Sequence, residues 1–414
     1  MTASEPRLEA LRRFAALALA DDALSIEPAS ADASFRSYWR VQRRVRASDS
    51  REEDVRPDAP GAGRGIAAEP VAAEAGATYL VMDAPPERED IAPWLDVCAR
   101  LRAAGLHAPA VFAEDRAQGF VLIEDLGTRT YLPELNEASA DALYADALDA
   151  LARMQTAVDT TGLPAYDRGR LVAEMELMPE WLLARHFGFT PSCEEWDVIE
   201  AAFTFLVHAA QEQPRAFVHR DYHSRNLLVG RESNCGGRMP ERTSAQPMAR
   251  RVSRRSGESM GNRESEEQAD PNILASPGII DFQDAVVGPI TYDLVSLLRD
   301  CYIEWDAARV DGWMESHRER LRAAHRIGPE IDITRFRRWF DLMGVQRHVK
   351  VLGIFCRLHY RDGKAQYLGD LPLTWRYTLD VARRYPELVD FADLLERARG
   401  ERDIAQPNPD GEPR

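Results

Sequence analysis

The chain reads as an α+β protein of two lobes, a small antiparallel-sheet lobe followed by a larger helical one. Three observations predict this. Residues 1–127 carry short apolar segments of strand length. From Thr128 onward, apolar residues recur at helical spacing. The chain has 414 residues and 45% hydrophobic content, enough for two cores.

In chain order, Leu8, Leu11, Ala15 and Leu19 form a helical stripe. The neighbouring Arg12-Arg13 and Phe14–Ala20 mimic a secretion signal, but the run is short and Glu5 and Glu9 spoil a basic leader. Ser34–Val41 is expected as a strand and Thr78–Asp83 as its partner. Residues 47–77 between them hold almost no bulky apolar side chain and read as a flexible insertion. Ile91–Ala104 reads as a helix, with Pro93 in its first turn and Gly105 at its end. Gly119–Glu124 is a strand leading into a hinge at Asp125-Leu-Gly127. Helices follow over residues 136–157, with Ser139 as a candidate cap, and over 194–213, stopped by Pro214. Residues 230–276 are rich in Arg, Glu, Ser and Gly and read as a disordered insertion. Its basic run, Arg250–Arg255, reads as a solvated linker. The helical lobe is expected to run over 128–395, with 396–414 as a loose tail.

Chemistry concentrates in two tracts. Phe217-Val-His-Arg-Asp-Tyr-His-Ser-Arg-Asn226 sets Asp221 and Asn226 in the H-R-D-x-x-x-x-N spacing of a kinase catalytic loop. Ile279-Ile-Asp-Phe-Gln-Asp284 opens a D-F-x triplet with Asp281. Phosphoryl transfer needs an oriented hydroxyl and neutralised phosphates. Asp221 is expected to orient and deprotonate the hydroxyl. Asn226 and Asp281 offer the hard oxygen ligands that Mg²⁺ takes. The apolar residues before each tract read as short strands that fix the loops.

The net charge of −16 excludes nucleic acid as a general partner. No apolar run reaches the ~20 residues of a membrane helix. Five scattered cysteines without a C-x-x-C pair read as cytoplasmic thiols. The only lysines are Lys350 and Lys364, so the small lobe has none to hold nucleotide phosphates.

The continuation Phe282–Leu298 resembles the aminoglycoside phosphotransferase family of small-molecule kinases. The resemblance implies a bilobal protein-kinase-like fold, ATP and Mg²⁺ as cofactors, and a supporting role behind the catalytic loop for Asp293, which its place at a helix start equally suits to be a simple cap. Asp32–Arg40, Val81–Asp90, Phe120–Gly127, Gln346–Phe355 and Tyr367–Pro372 look like the bacterial anomeric kinases for N-acetylmuramate and N-acetylglucosamine. That likeness implies ATP-dependent phosphorylation of a C1 hydroxyl in cell-wall recycling.

It also implies nucleotide contacts from Ser34, Phe35, Arg36 and Arg40, and from Glu124 and Leu126 at the hinge. Arg36 and Arg40 are the candidates to stand in for the missing lysine. Substrate contacts are expected from His223, Arg225, Gln283 and Asp284. Arg347 and Lys350 join them as part of a basic helical stripe continued by Arg357, Arg361 and Lys364. His219 reads as a structural histidine behind the loop. Two alternatives stay open: a kinase for another small alcohol (an aminoglycoside, choline or homoserine), and an inactive nucleotide-binding regulator.

Overall fold

The structure, a computed structural model, describes residues 5–31, 35–43, 77–230 and 277–409. Nearly all of both expected insertions lies outside these residues, as do Ser34 and Arg250–Arg255. Two structural units follow one another, a twisted sheet and a helical body.

The sheet unit holds α1 (Glu5–Leu19), β1 (Leu24–Ala31), β2 (Ser37–Arg43), β3 (Thr78–Asp83), α2 (Ala92–Ala103), β4 (Val111–Asp115) and β5 (Phe120–Glu124). Its five strands run in the order β1-β2-β3-β5-β4, all antiparallel. Because side chains alternate along a strand, the sheet has two distinct faces. Trp39, Val41, Tyr79, Val81, Phe120 and Leu122 pack under Leu11, Phe14, Ala15 and Leu19 of α1. Met82, Val121 and Ile123, on the other face, join the large core of the molecule.

Sequence reasoning found β2, β3 and β5 but not the outer strands β1 and β4. Pro28, Glu27 and the serines of β1 are poor strand formers. Pro28 is accommodated where the ladder slips between Pro28 and Ser30, as an edge strand allows.

The helical body comprises α3 (Tyr131–Glu134), α4 (Ala140–Ala157), α5 (Arg168–Met175), a π-helical segment (Met178–His186), α6 (Cys193–Gln211), α7 (Tyr292–Leu298), α8 (Ala307–Ala323), α9 (Ile333–Tyr360), α10 (Leu371–Ala382) and α11 (Val389–Arg399). Caps fix several starts. Ser192 and Glu195 form a capping box at α6, and Asp167 and Asp332 accept from the first turns of α5 and α9. Ser139 precedes α4 without capping it, since its hydroxyl donates to Glu134 O instead. The 28-residue α9 runs through the middle of the body and is buried over most of its length. At Gly353 it presses on the π-helical segment. A Cβ there would stand 2.4 Å from the Leu177 carbonyl carbon.

Two small ladders carry the functional loops. β6 (Arg215–Val218) pairs with β9 (Val286–Pro289), and β7 (Leu227–Leu228) pairs with β8 (Gly278–Ile279). The sequence segment 231–276 therefore joins the two strands of an antiparallel pair, as 44–77 does between β2 and β3. Both long segments take the place of a hairpin turn, so the strands they join keep their register. Beyond α11 the chain does not trail away. Ile404 is buried, His186 bonds its carbonyl, and Asn408 bonds Arg185 and Tyr360, so residues 400–409 are docked where a loose tail was expected.

Candidate active site

The β7–β8 ladder sets Asn226 beside Asp281. Asn226 Nδ2 donates to Asp281 Oδ2 at 3.1 Å and to Asp221 O at 3.0 Å. Ile280 N donates to Asn226 O at 3.2 Å. Two residues here hold left-handed backbone without being glycine: Arg220 at φ +79° and Asp281 at φ +65°. Such conformations cost about 1–3 kcal/mol each and persist only where surrounding bonds impose them.

Asp293, fully buried on α7, imposes the first. It accepts from His219 N at 2.7 Å and Arg220 N at 3.0 Å. Burial pushes the Asp293 carboxyl up to about 7, against the pull of those two N–H groups. Asp300 holds the far side of the loop through Ser224 N and Oγ, and Tyr222 anchors it to Ala147 O. His219 is fully buried; its Nδ1 accepts from Asp221 N and its Nε2 donates to Ile280 O at 3.1 Å. Burial lowers it to about 4 and keeps it neutral at pH 7.

Asp221 is partly buried amid cations. Burial pushes its pKa up, yet Lys350, His223, Arg347 and Arg220 together hold it below the ordinary carboxylate range. Behind it stands a cluster the sequence did not disclose. Glu174 of α5 pairs with Lys350 Nζ at 3.2 Å, with Arg220, and with the Tyr166 hydroxyl. Burial raises the Glu174 pKa, but Lys350 and Arg220 outweigh it and the net shift is downward.

On the sheet side, Arg36 is buried just before β2. Its Nε lies 3.1 Å from Glu89 Oε1 and its Nη2 lies 3.8 Å from Asp281 Oδ1. It thus brings a guanidinium to the metal-type aspartate, on the side where a lysine was expected. Arg40 sits elsewhere: it is bonded to Asp125 at 2.8 Å, in the hinge. Asp125 also accepts from Gly127 N, and Gly127 turns at φ +92°. Glu124 braces the hinge through His107 at 3.1 Å and Ala110 N at 3.0 Å. Leu126 is buried against Gly278. Phe35 is exposed, with Arg88 over its ring. Asp83, at the end of β3, is taken by Arg7 of α1.

Asp221 also lines a cavity of 140 Å³. Asp221, His223, Tyr292, Cys301, Tyr302, Arg347, Lys350, Phe355 and Tyr367 are among its lining residues. Arg225 stacks 3.5 Å over the Tyr302 ring and reaches toward Asp370. Gln283 donates to Asp281 Oδ1 at 2.9 Å, and Asp284 is exposed, away from the cavity.

The basic stripe is shorter than expected. α9 ends at Tyr360 and Gly363 turns at φ +68°, so Arg361 and Lys364 leave the helix, and Arg361 pairs with Asp362. Only Arg347 and Lys350 reach the cavity. Trp375 is core, edge-on to Phe187.

No group of three or more His, Cys, Asp or Glu able to hold a metal occurs among the described residues. Mg²⁺ in phosphoryl transfer needs fewer, since it takes one or two protein oxygens and fills the rest from phosphates and water. The partly exposed Asp281 carboxylate with Asn226 beside it fits that requirement. No helix among the described residues is long and apolar enough to cross a membrane.

Comparison with known proteins is consistent with this geometry. The model of the phosphotransferase enzyme family matches residues 25–237 and 270–339. The N-acetylmuramate/N-acetylglucosamine kinase of Pseudomonas putida is 36% identical over 371 residues, 90% of this chain and 87% of the relative. The kinase of the same name from Pseudomonas aeruginosa is 37% identical over 370 residues, 89% and 87% of the two chains. The ethanolamine kinase of Plasmodium vivax superposes with a TM-score of 0.51 at 10% identity, covering 86% of this chain and 82% of that one. This last likeness bears on the fold alone.

Proposed function

The chain belongs to the phosphotransferase enzyme family, and we propose that it phosphorylates the anomeric hydroxyl of N-acetylmuramate and N-acetylglucosamine with ATP, in peptidoglycan recycling in the cytoplasm. The observation that carries this reading is Asp221. It lines a cavity, and its backbone carbonyl accepts from Asn226, which also donates to Asp281, in a chain with 36–37% identity to kinases of that name.

In the proposed step the sugar C1 oxygen attacks the γ-phosphorus. A new O–P bond forms as the bond to the β-phosphate oxygen breaks, and the hydroxyl proton passes to Asp221. The cations around Asp221 keep it ionised at neutral pH and ready to accept that proton. Mg²⁺, held by Asn226 and Asp281, would neutralise phosphate charge when bound. Arg36 is the cation we assign to the phosphates on the sheet side. His223 and Arg225 face the acceptor, and His219 and Asp293 fix the loop. We take residues 1–127 as the nucleotide-covering lobe and 128–395 as the catalytic and acceptor-binding lobe. Buried cations on the acceptor side disfavour cationic acceptors such as aminoglycosides or choline.

Phosphorus NMR of the protein with ATP, Mg²⁺ and either sugar tests this. An acid-labile anomeric phosphate is expected. Absence of product with both sugars would sink the acceptor assignment. Asp221→Asn is expected to lose roughly 10²-fold or more in kcat, and near-full turnover by that variant would remove its role as base.

A further inference from the structure

Most buried cations in this structure have a carboxylate partner: Arg36 has Glu89, Arg299 has Asp341, Arg318 has Glu315, and Lys350 has Glu174. Arg347 is the exception. It is 4% exposed, and among the described residues it makes no ion pair within 4.0 Å. Its one hydrogen bond goes from Nη1 to Cys301 Sγ at 3.5 Å, and its buried Nε has no partner. Sulfur is a weak acceptor for a fork of five N–H donors, and a buried charge left without a partner is costly.

The two carboxylates that act on Arg347 through space are committed elsewhere. Asp300 is bonded to Ser224, and Asp221 is the residue that must face the acceptor hydroxyl. Arg347 lines the same cavity as Asp221. An anion that satisfies it there arrives with the acceptor.

We propose that Arg347 is the receptor for a carboxylate on the acceptor sugar, so that the site is built for an acidic amino sugar and takes its neutral counterpart less well. This rests on the amino-sugar reading above and deepens it. Of the two sugars, N-acetylmuramate carries such a group, the carboxylate of its lactyl ether, and N-acetylglucosamine does not. A guanidinium binds a carboxylate through two parallel N–H donors, a geometry that ammonium groups do not offer. Lys350 is not an equal candidate, because Glu174 already neutralises it.

The test is Arg347→Met, which keeps an unbranched apolar stem and removes the guanidinium and its charge, with Arg347→Lys beside it. Steady-state kinetics are measured for each sugar and for ATP. The expected result is a fall of about 10- to 100-fold in kcat/KM for N-acetylmuramate. Turnover of N-acetylglucosamine is expected to fall as well, since Arg347 also acts on Asp221, but by at least about tenfold less than turnover of N-acetylmuramate. The KM for ATP should stay within about threefold, and partial recovery on N-acetylmuramate is expected with lysine. Thermal melting of the ligand-free Met variant is expected to be unchanged or higher, since an unpaired buried charge is gone. N-acetylmuramate should stabilise the wild type and not the variant.

Equal losses on both sugars, or a raised KM for ATP, would overturn the proposal by placing Arg347 at the transferred phosphate or in the framework. Unchanged kinetics on N-acetylmuramate would overturn it too. A wild type that phosphorylates the neutral sugar and rejects the acidic one defeats this proposal alone. A wild type that turns over neither defeats the amino-sugar reading and this proposal with it.

Discussion

Replacing Glu174 with glutamine removes a largely buried anion that is ion-paired to two cations of the site, Lys350 and Arg220. Its side chain is 13% exposed, Lys350 is 8% exposed, and Arg220 is 20% exposed. The substitution keeps size and one carbonyl acceptor but removes the charge that both cations share. Breaking a buried ion pair from one side costs about 3–5 kcal/mol. Lys350 retains its bond to the Tyr292 hydroxyl at 3.1 Å, so the lower end of that range applies, about 3 kcal/mol. In thermal melting that is a drop of roughly 6–12 °C, at 2–4 °C per kcal/mol for a domain of this size class.

The pH dependence adds a second readout. The folded-state pKa of Glu174 lies below its ordinary value. Its contribution is therefore present above the unfolded glutamate value, about 4.3, and is lost as pH falls through the folded value. Melting curves of wild type and variant should stand apart at pH 7 and converge on acidification below about pH 4. A gap under about 1 kcal/mol at pH 7, or one that does not shrink with acid, would show that the cluster does not hold the loop as its geometry indicates.

Other perturbations probe the same framework. Asp293→Asn leaves an acceptor for only one of the His219 and Arg220 N–H groups. It should cost about 2–3 kcal/mol in melting, and roughly 10²-fold in kcat as Asp221 drifts from its geometry; full activity in that variant would show that the catalytic loop holds its shape without the brace. Gly353→Ala has a sign that decides the matter. In an open helix the change stabilises by about 0.5–1 kcal/mol, but here the added carbon would meet Leu177 backbone at 2.4 Å. A net loss of about 1–2 kcal/mol is expected. The KM for the sugar should rise as well, because Val351, Ile354 and Phe355 on the same helix line the cavity. A stabilised variant would contradict the close contact.

What the sequence disclosed depended on how local the signal was. Asp221, Asn226 and Asp281 were legible because fixed spacing and short apolar runs mark loops held on strands, and β6 and β8 stand where those runs predicted. Glu174 and Asp300 were not legible. Their partners are 46 and 76 residues away, and nothing near either residue marks it. The outer strands β1 and β4 escaped because edge strands tolerate residues that weaken a strand reading. The basic stripe was read too long because helical spacing alone does not reveal where Gly363 turns the chain. Arg36 and Arg40 looked alike in sequence, yet one meets Asp281 and the other is held by the hinge.

The arginine-only sheet unit has a consequence for chemical profiling. Nucleotide analogues with a reactive acyl phosphate capture kinases by acylating a lysine amine beside the phosphates. Both lysines of this chain lie beyond residue 349, and Lys350 belongs to the acceptor side, ion-paired to Glu174. Among the described residues, the cation that pairs with Asp281 on the sheet side is a guanidinium, which stays protonated at any working pH and is a poor nucleophile. A proteome survey that relies on such reagents would pass this enzyme over even when its nucleotide site is full. Dicarbonyl reagents that condense with guanidinium groups are the chemistry that would find it, and protection of Arg36 by nucleotide would be its signature.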